Sequence, residues 1–147
     1  MHLATPYNFG LKNNEIDVLV PAIKGTQSIL ESVHTHGSDV ARVVIVSSFA
    51  AIYDPTKGLN PGHVYTEAEW SPITYETAHE GDVFTAYFGA KALAEKAAWD
   101  LMERLRRSPD PPRFDLTVLN PPVIYGPSAQ PLNFAALGTS TGDISRF

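Results

Sequence analysis

Ala86-Tyr87-Phe88-Gly89-Ala90-Lys91-Ala92-Leu93-Ala94-Glu95-Lys96-Ala97-Ala98-Trp99 is rich in Ala, Leu, Glu and Lys and contains no Pro, so it predicts a helix. Tyr87 and Lys91 stand four residues apart. On a helix they share a face, and one turn of about 5.4 Å brings the phenol and the ammonium to one small volume. A phenol ionises near a pH of about 10 in water and handles protons poorly at neutrality, whereas a neighbouring cation favours its phenolate. The pair therefore suits acid and base work. From spacing alone, a core aromatic and a solvated surface lysine answer the same pattern, so the flanking segments carry the decision.

Upstream, Arg42-Val43-Val44-Ile45-Val46-Ser47-Ser48 is a β-branched apolar run that predicts a buried strand tipped by hydroxyls. Downstream, Phe114-Asp115-Leu116-Thr117-Val118-Leu119 predicts a second strand and runs straight into Asn120-Pro121-Pro122-Val123-Ile124-Tyr125-Gly126-Pro127. A strand ending in S-S, a helix opening with Y-x-x-x-K and a strand ending in N-P-P-x-x-Y-G-P together resemble the extended short-chain dehydrogenase/reductase superfamily. Within it, S-S-F-A-A at 47–51, A-L-A-E-K-A-A-W at 92–99, I-K-G-T-Q-S-I-L-E-S-V at 23–33 and the opening M-H-L-A-T-P are similar to one branch. These are the NADPH-dependent aldehyde and ketone reductases related to dihydroflavonol reductase and yeast methylglyoxal reductase. The resemblance runs from Met1 to about Pro131.

The resemblance implies an α/β fold, a Rossmann-type parallel sheet with flanking helices, in incomplete form. The family's opening strand and G-x-x-G-x-x-G turn, which cradle a dinucleotide pyrophosphate at a helix N-terminus, have no counterpart in the sequence, nor has its C-terminal substrate lobe. The expectation is one partial NAD(P)-binding domain over 1–147, with about 129–147 as a poorly defined tail. In the resembling enzymes a hydride passes from the nicotinamide to a carbonyl carbon. Tyr87 would then be the general acid, Lys91 would favour its ionisation and hold the ribose hydroxyls, and Ser48 would hydrogen-bond the carbonyl oxygen. Ser48 matches the second serine of the family's pair, and strand alternation lets one of Ser47 and Ser48 face the site.

Pro121 and Val123 fall where this family's backbone passes the nicotinamide amide, and Ala4 and Thr5 where a strand passes the adenosine end. For each, a strand end or tight turn is the plainer reading. NADP(H) is the preferred cofactor, with NAD(H) as the alternative, and the substrate is a small-molecule carbonyl compound. Two other readings stand beside the reductase. One is a nucleotide-sugar epimerase or dehydratase of the same superfamily. The other is a catalytically inactive truncated remnant or interaction module whose exposed apolar sheet edge permits self-association.

With 147 residues, the chain has room for one core. A formal net charge of −5 argues against a nucleic-acid surface, and Arg104, Arg106 and Arg107 read as a helix C-terminus favoured by the macrodipole. The absence of Cys excludes disulfides and thiolate chemistry. No apolar run reaches the ~20 residues of a membrane span and the opening lacks a secretory pattern, so the expected location is cytoplasmic. His34 and His36 read as a solvated helix end, and no metal is expected.

Along the chain, Asn13 and Asn14 are candidate caps of a helix reaching about Val33, whose start Pro21 should bend or shift. Gly25 and Thr26 are small enough to predict close approach to a neighbouring strand. Residues 49–82 read as irregular, broken by Pro55, Gly58, Pro61, Gly62 and Pro72. Their aromatic load, Tyr53, Tyr65, Trp70 and Tyr75, is expected to pack over the Tyr87 helix or line a pocket.

Overall fold

The computed structural model describes residues 12–58 and 60–126. Ala4, Thr5 and the expected tail at 129–147 lie outside the described residues. β1 (Arg42–Val46) and β2 (Asp115–Leu119) pair in parallel, Arg42 opposite Asp115 and Val46 opposite Leu119. Alternation turns Val43 and Ile45 of β1, and Leu116 of β2, into the core. Parallel neighbours cannot be joined by a tight turn. The crossover here runs through two short 3-10 turns, α2 (Tyr75–Glu80) and the long α3 (Val83–Arg106).

α1 (Val20–His36) and α3 cover the sheet, so that Leu30 of α1 meets Ala98, Leu101 and Met102 of α3 over the buried strand residues. A second cluster joins Val18, Leu19 and Ala22 to Ala78, Ala90 and Ala94. Small residues along α3 let its neighbours approach closely. A Cβ added at Gly89 would stand 2.4 Å from the Ala78 Cβ and 3.0 Å from Ile73, whereas one added at Gly25 meets nothing within 4 Å. The close approach to a strand predicted at Gly25 is not made; the tight contact lies at Gly89, against α2 and Ile73.

α1 starts beside Pro21, as a start shifted by proline would. A π-helical turn over Glu15–Leu19 runs directly into it, with helical backbone at both Leu19 and Val20. Asn13 caps this turn, its Oδ1 accepting from the backbone N–H groups of Glu15 and Ile16 at 2.9 and 3.1 Å. Asn14 has another task. Its Nδ2 is shared among the carbonyls of Ala78, His79 and Gly81, at 3.2, 3.0 and 2.8 Å, and so closes the C-terminal end of α2.

α2 itself differs from the irregular reading of 49–82. Thr74 and Thr77 form a reciprocal capping box that starts it, and six residues are too few for a helical period to show in sequence. α3 starts at Asp82, whose carboxylate accepts from the Thr85 N–H at 2.8 Å, and it ends in Arg104 and Arg106 as the charge pattern implied. Among the described residues no helix is long and apolar enough to cross a membrane.

Candidate active site

β1 ends at Val46, yet pairing with the chain beyond β2 continues. Ser47 N–H donates to the Leu119 carbonyl at 2.8 Å and Phe49 N–H to the Pro121 carbonyl at 2.9 Å. Between them Ser48 keeps an extended backbone and caps the 3-10 turn Phe49–Ala51, its Oγ accepting from Ala50 N–H at 3.1 Å. This fixes the hydroxyl from its own chain. From α3, in its second turn, Tyr87 donates its hydroxyl to the same Oγ at 3.4 Å.

These residues open onto a groove of about 620 Å³ at the C-terminal ends of both strands, the position where open parallel sheets bind ligands. Ser47, Ser48 and Tyr87 supply its polar wall, and Phe49, Tyr53 and Phe88 an aromatic one. Pro121 and Val123 complete it with Pro122 and Ile124, and Val123 is 60% exposed. Both serines line the groove. The either-or rule of a pleated strand does not hold there, because the chain turns at Phe49–Ala51 directly after Ser48 and the groove at this strand end reaches both residues.

Of the predicted site residues, Ser48, Tyr87, Pro121 and Val123 therefore share one wall. Lys91 is not among the described residues that line it. Its Nζ stands over the Tyr87 ring, 5.8 Å from the centroid, in a cation–π arrangement. Burial pushes the Lys91 ammonium below its usual pKa, and the Glu95 carboxylate one turn on opposes that effect.

Glu95 and Asn120 shape the site although the sequence reading passed over both. Glu95 is only 7% exposed. Asn120 donates from Nδ2 to Glu95 Oε2 at 2.7 Å and to the Ser48 carbonyl at 3.2 Å. The available signal was spacing, since Glu95 follows Lys91 at the interval by which Lys91 follows Tyr87. The four loop aromatics divide. Tyr53 lines the groove and Tyr65 packs on Phe49 and Tyr53 behind it. Trp70 lies under the Lys96 ammonium, and Tyr75 donates its hydroxyl to Glu15 at 2.8 Å.

No family model matches the chain. It is 39% identical over 128 residues to the NADPH-dependent methylglyoxal reductase of Saccharomyces cerevisiae, covering 86% of this chain and 36% of that one. It is 38% identical over 141 residues to a ketoreductase of Aspergillus niger, covering 95% and 39% respectively. The crystal structure of yeast methylglyoxal/isovaleraldehyde reductase complexed with NADPH matches with a TM-score of 0.79 at 38% identity, over 88% of this chain and 37% of that one. Over the matched stretches the chain is homologous to these reductases. It spans 36% and 39% of the length of these two curated relatives. The two parallel strands with α1 and α3 are the family's Rossmann-like layer, and the Ser48–Tyr87 contact lies inside the matched stretch.

Proposed function

We propose that this chain carries the catalytic segment of an NADPH-dependent reductase of aldehydes or ketones. The observation that carries the reading is the convergence of the Tyr87 hydroxyl and Ser48 Oγ at the groove wall, with the Lys91 ammonium over the tyrosine ring. The names of the relatives add NADPH and a carbonyl substrate.

Ser48 Oγ accepts from Ala50 N–H and from Tyr87, which engages both of its lone pairs. Its own proton is then what it has to offer, and a carbonyl oxygen in the groove is an acceptor for it. Tyr87 donates to the same oxygen as charge develops there and passes its proton across, while Lys91 stabilises the tyrosinate left behind. The strand-end groove, with Lys91 desolvated beside it and Val123 and Ile124 open to solvent, fits the nicotinamide end of a dinucleotide. When NADPH is bound, it supplies the hydride. Lys91 would hold its ribose hydroxyls, and the backbone at Pro121 and Val123 would border the ring.

The groove's described lining carries no charged side chain. A neutral carbonyl compound suits it better than a nucleotide sugar, whose diphosphate would find no counter-charge there. The test is NADPH binding by the full chain, by calorimetry, followed by NADPH oxidation with carbonyl substrates. Binding weakened by Lys91→Ala supports the reading. A folded chain that binds no NADPH overturns it for this chain and leaves the inactive alternative.

A further inference from the structure

Tyr87, Lys91 and Glu95 succeed one another at intervals of four along α3, so a phenol, an ammonium and a carboxylate stack on one helix face. The carboxylate is the unexpected member. Glutamate is seldom this buried unless paired, and Glu95 is 7% exposed. Its partner is Asn120, from the end of β2. The amide nitrogen of Asn120 has two hydrogens. One goes to Glu95 Oε2 at 2.7 Å and the other to the Ser48 carbonyl at 3.2 Å. A single side chain thereby ties the buried carboxylate to the residue whose hydroxyl meets Tyr87.

On its own helix, Lys91 faces two titratable groups, Tyr87 and Glu95. The strand ends bring two uncharged residues to this part of α3, Asn120 against Glu95 and Ser48 against Tyr87. Burial works against the Lys91 ammonium, and the Glu95 carboxylate one turn on works for it.

We propose that Glu95 and Asn120 are a positioning pair: Asn120, anchored on the buried Glu95, fixes the Ser48 backbone and so the meeting of Ser48 Oγ with Tyr87, while Glu95 sets its carboxylate one helical turn from Lys91 on the same face of α3. Their use in catalysis rests on the reductase reading above. The electrostatic and geometric roles do not.

The experiment follows the Lys91 side chain by NMR through the alkaline range in the full chain. Glu95→Gln keeps an oxygen for the Asn120 amide and removes only the charge. In that variant the Lys91 titration midpoint falls by about one pH unit, while Glu95→Asp, which restores a carboxylate, returns it toward the parent value. An unchanged midpoint in folded Glu95→Gln overturns the proposal. Asn120→Ala tests the other half and decides the matter if Glu95→Gln does not fold. The Ser48 and Ala50 amide resonances shift when Ser48 loses its anchor, and their constancy overturns the positioning role. NADPH titrations over the same range separate this inference from the reading beneath it. If the parent chain binds NADPH, its alkaline loss of affinity moves down by the same interval in Glu95→Gln, and a binding profile that does not move overturns the proposal. If the parent chain binds none, the reductase reading fails and the Lys91 midpoint still judges the pair.

Discussion

Tyr87 contributes a ring and a hydroxyl to different partners, and a single substitution separates them. The ring lies beneath Lys91 and the hydroxyl meets Ser48. Tyr87→Phe keeps the cation–π contact and deletes the proton donor. Under the proposed function, carbonyl reduction falls about 100-fold or more while NADPH affinity changes little, as steady-state rates and calorimetry would register. A proportional loss of both would point instead to a collapsed groove. Tyr87 and Lys91 were legible because a helix turns a spacing of four into adjacency, and Ser48 because a strand of β-branched residues ends in hydroxyls. Glu95 was not. An acidic residue in an Ala- and Lys-rich helix reads as solvated until the helix is packed, and its burial depends on Asn120, which lies 25 residues further on.

The helices were predicted in kind but not in their contacts. Gly25 and Gly89 look alike in sequence, each a glycine within a helical pattern, and only packing tells them apart. Gly89→Ala drives a methyl into Ala78 and should cost about 1–3 kcal/mol. Gly25→Ala enters open space inside α1 and should stabilise the fold by about 0.5–1 kcal/mol. Denaturant midpoints of the two variants should therefore move in opposite directions. Asp82 gives α3 a pH-dependent start. The backbone N–H of Thr85 is the main cause holding its carboxyl below the usual range. A depressed carboxyl contributes stability that is present above its unfolded pKa and is lost as pH falls through its folded one. The acid limb of a stability-against-pH curve should be shallower in Asp82→Asn than in the parent. α2 escaped the sequence reading because its order comes from a local capping box and a distant asparagine, neither of which has a hydrophobic period.

At the level of the whole molecule, the parallel pairing of β1 with β2 was readable from the order strand, helix, strand. The way the crossover is fastened was not, because it depends on residues far apart in the chain. The Asn14 side chain spans 64 to 67 positions to reach the end of α2. That span bears on the order in which the molecule assembles. A six-residue helix has little stability before it docks, and closing so long a loop costs chain entropy before any contact repays it. We expect the Asn14 bonds to form after the rate-limiting barrier to folding, once α1 and α3 have met on the strands. Asn14→Ala, losing about 1–2 kcal/mol, should leave the refolding rate nearly untouched and quicken unfolding by roughly 5- to 30-fold in stopped-flow chevrons. The segment from the end of β1 to α2 would then be the last part of the chain to close and the first to open, and it carries Tyr53 of the groove's aromatic wall, and Tyr65 behind it, along.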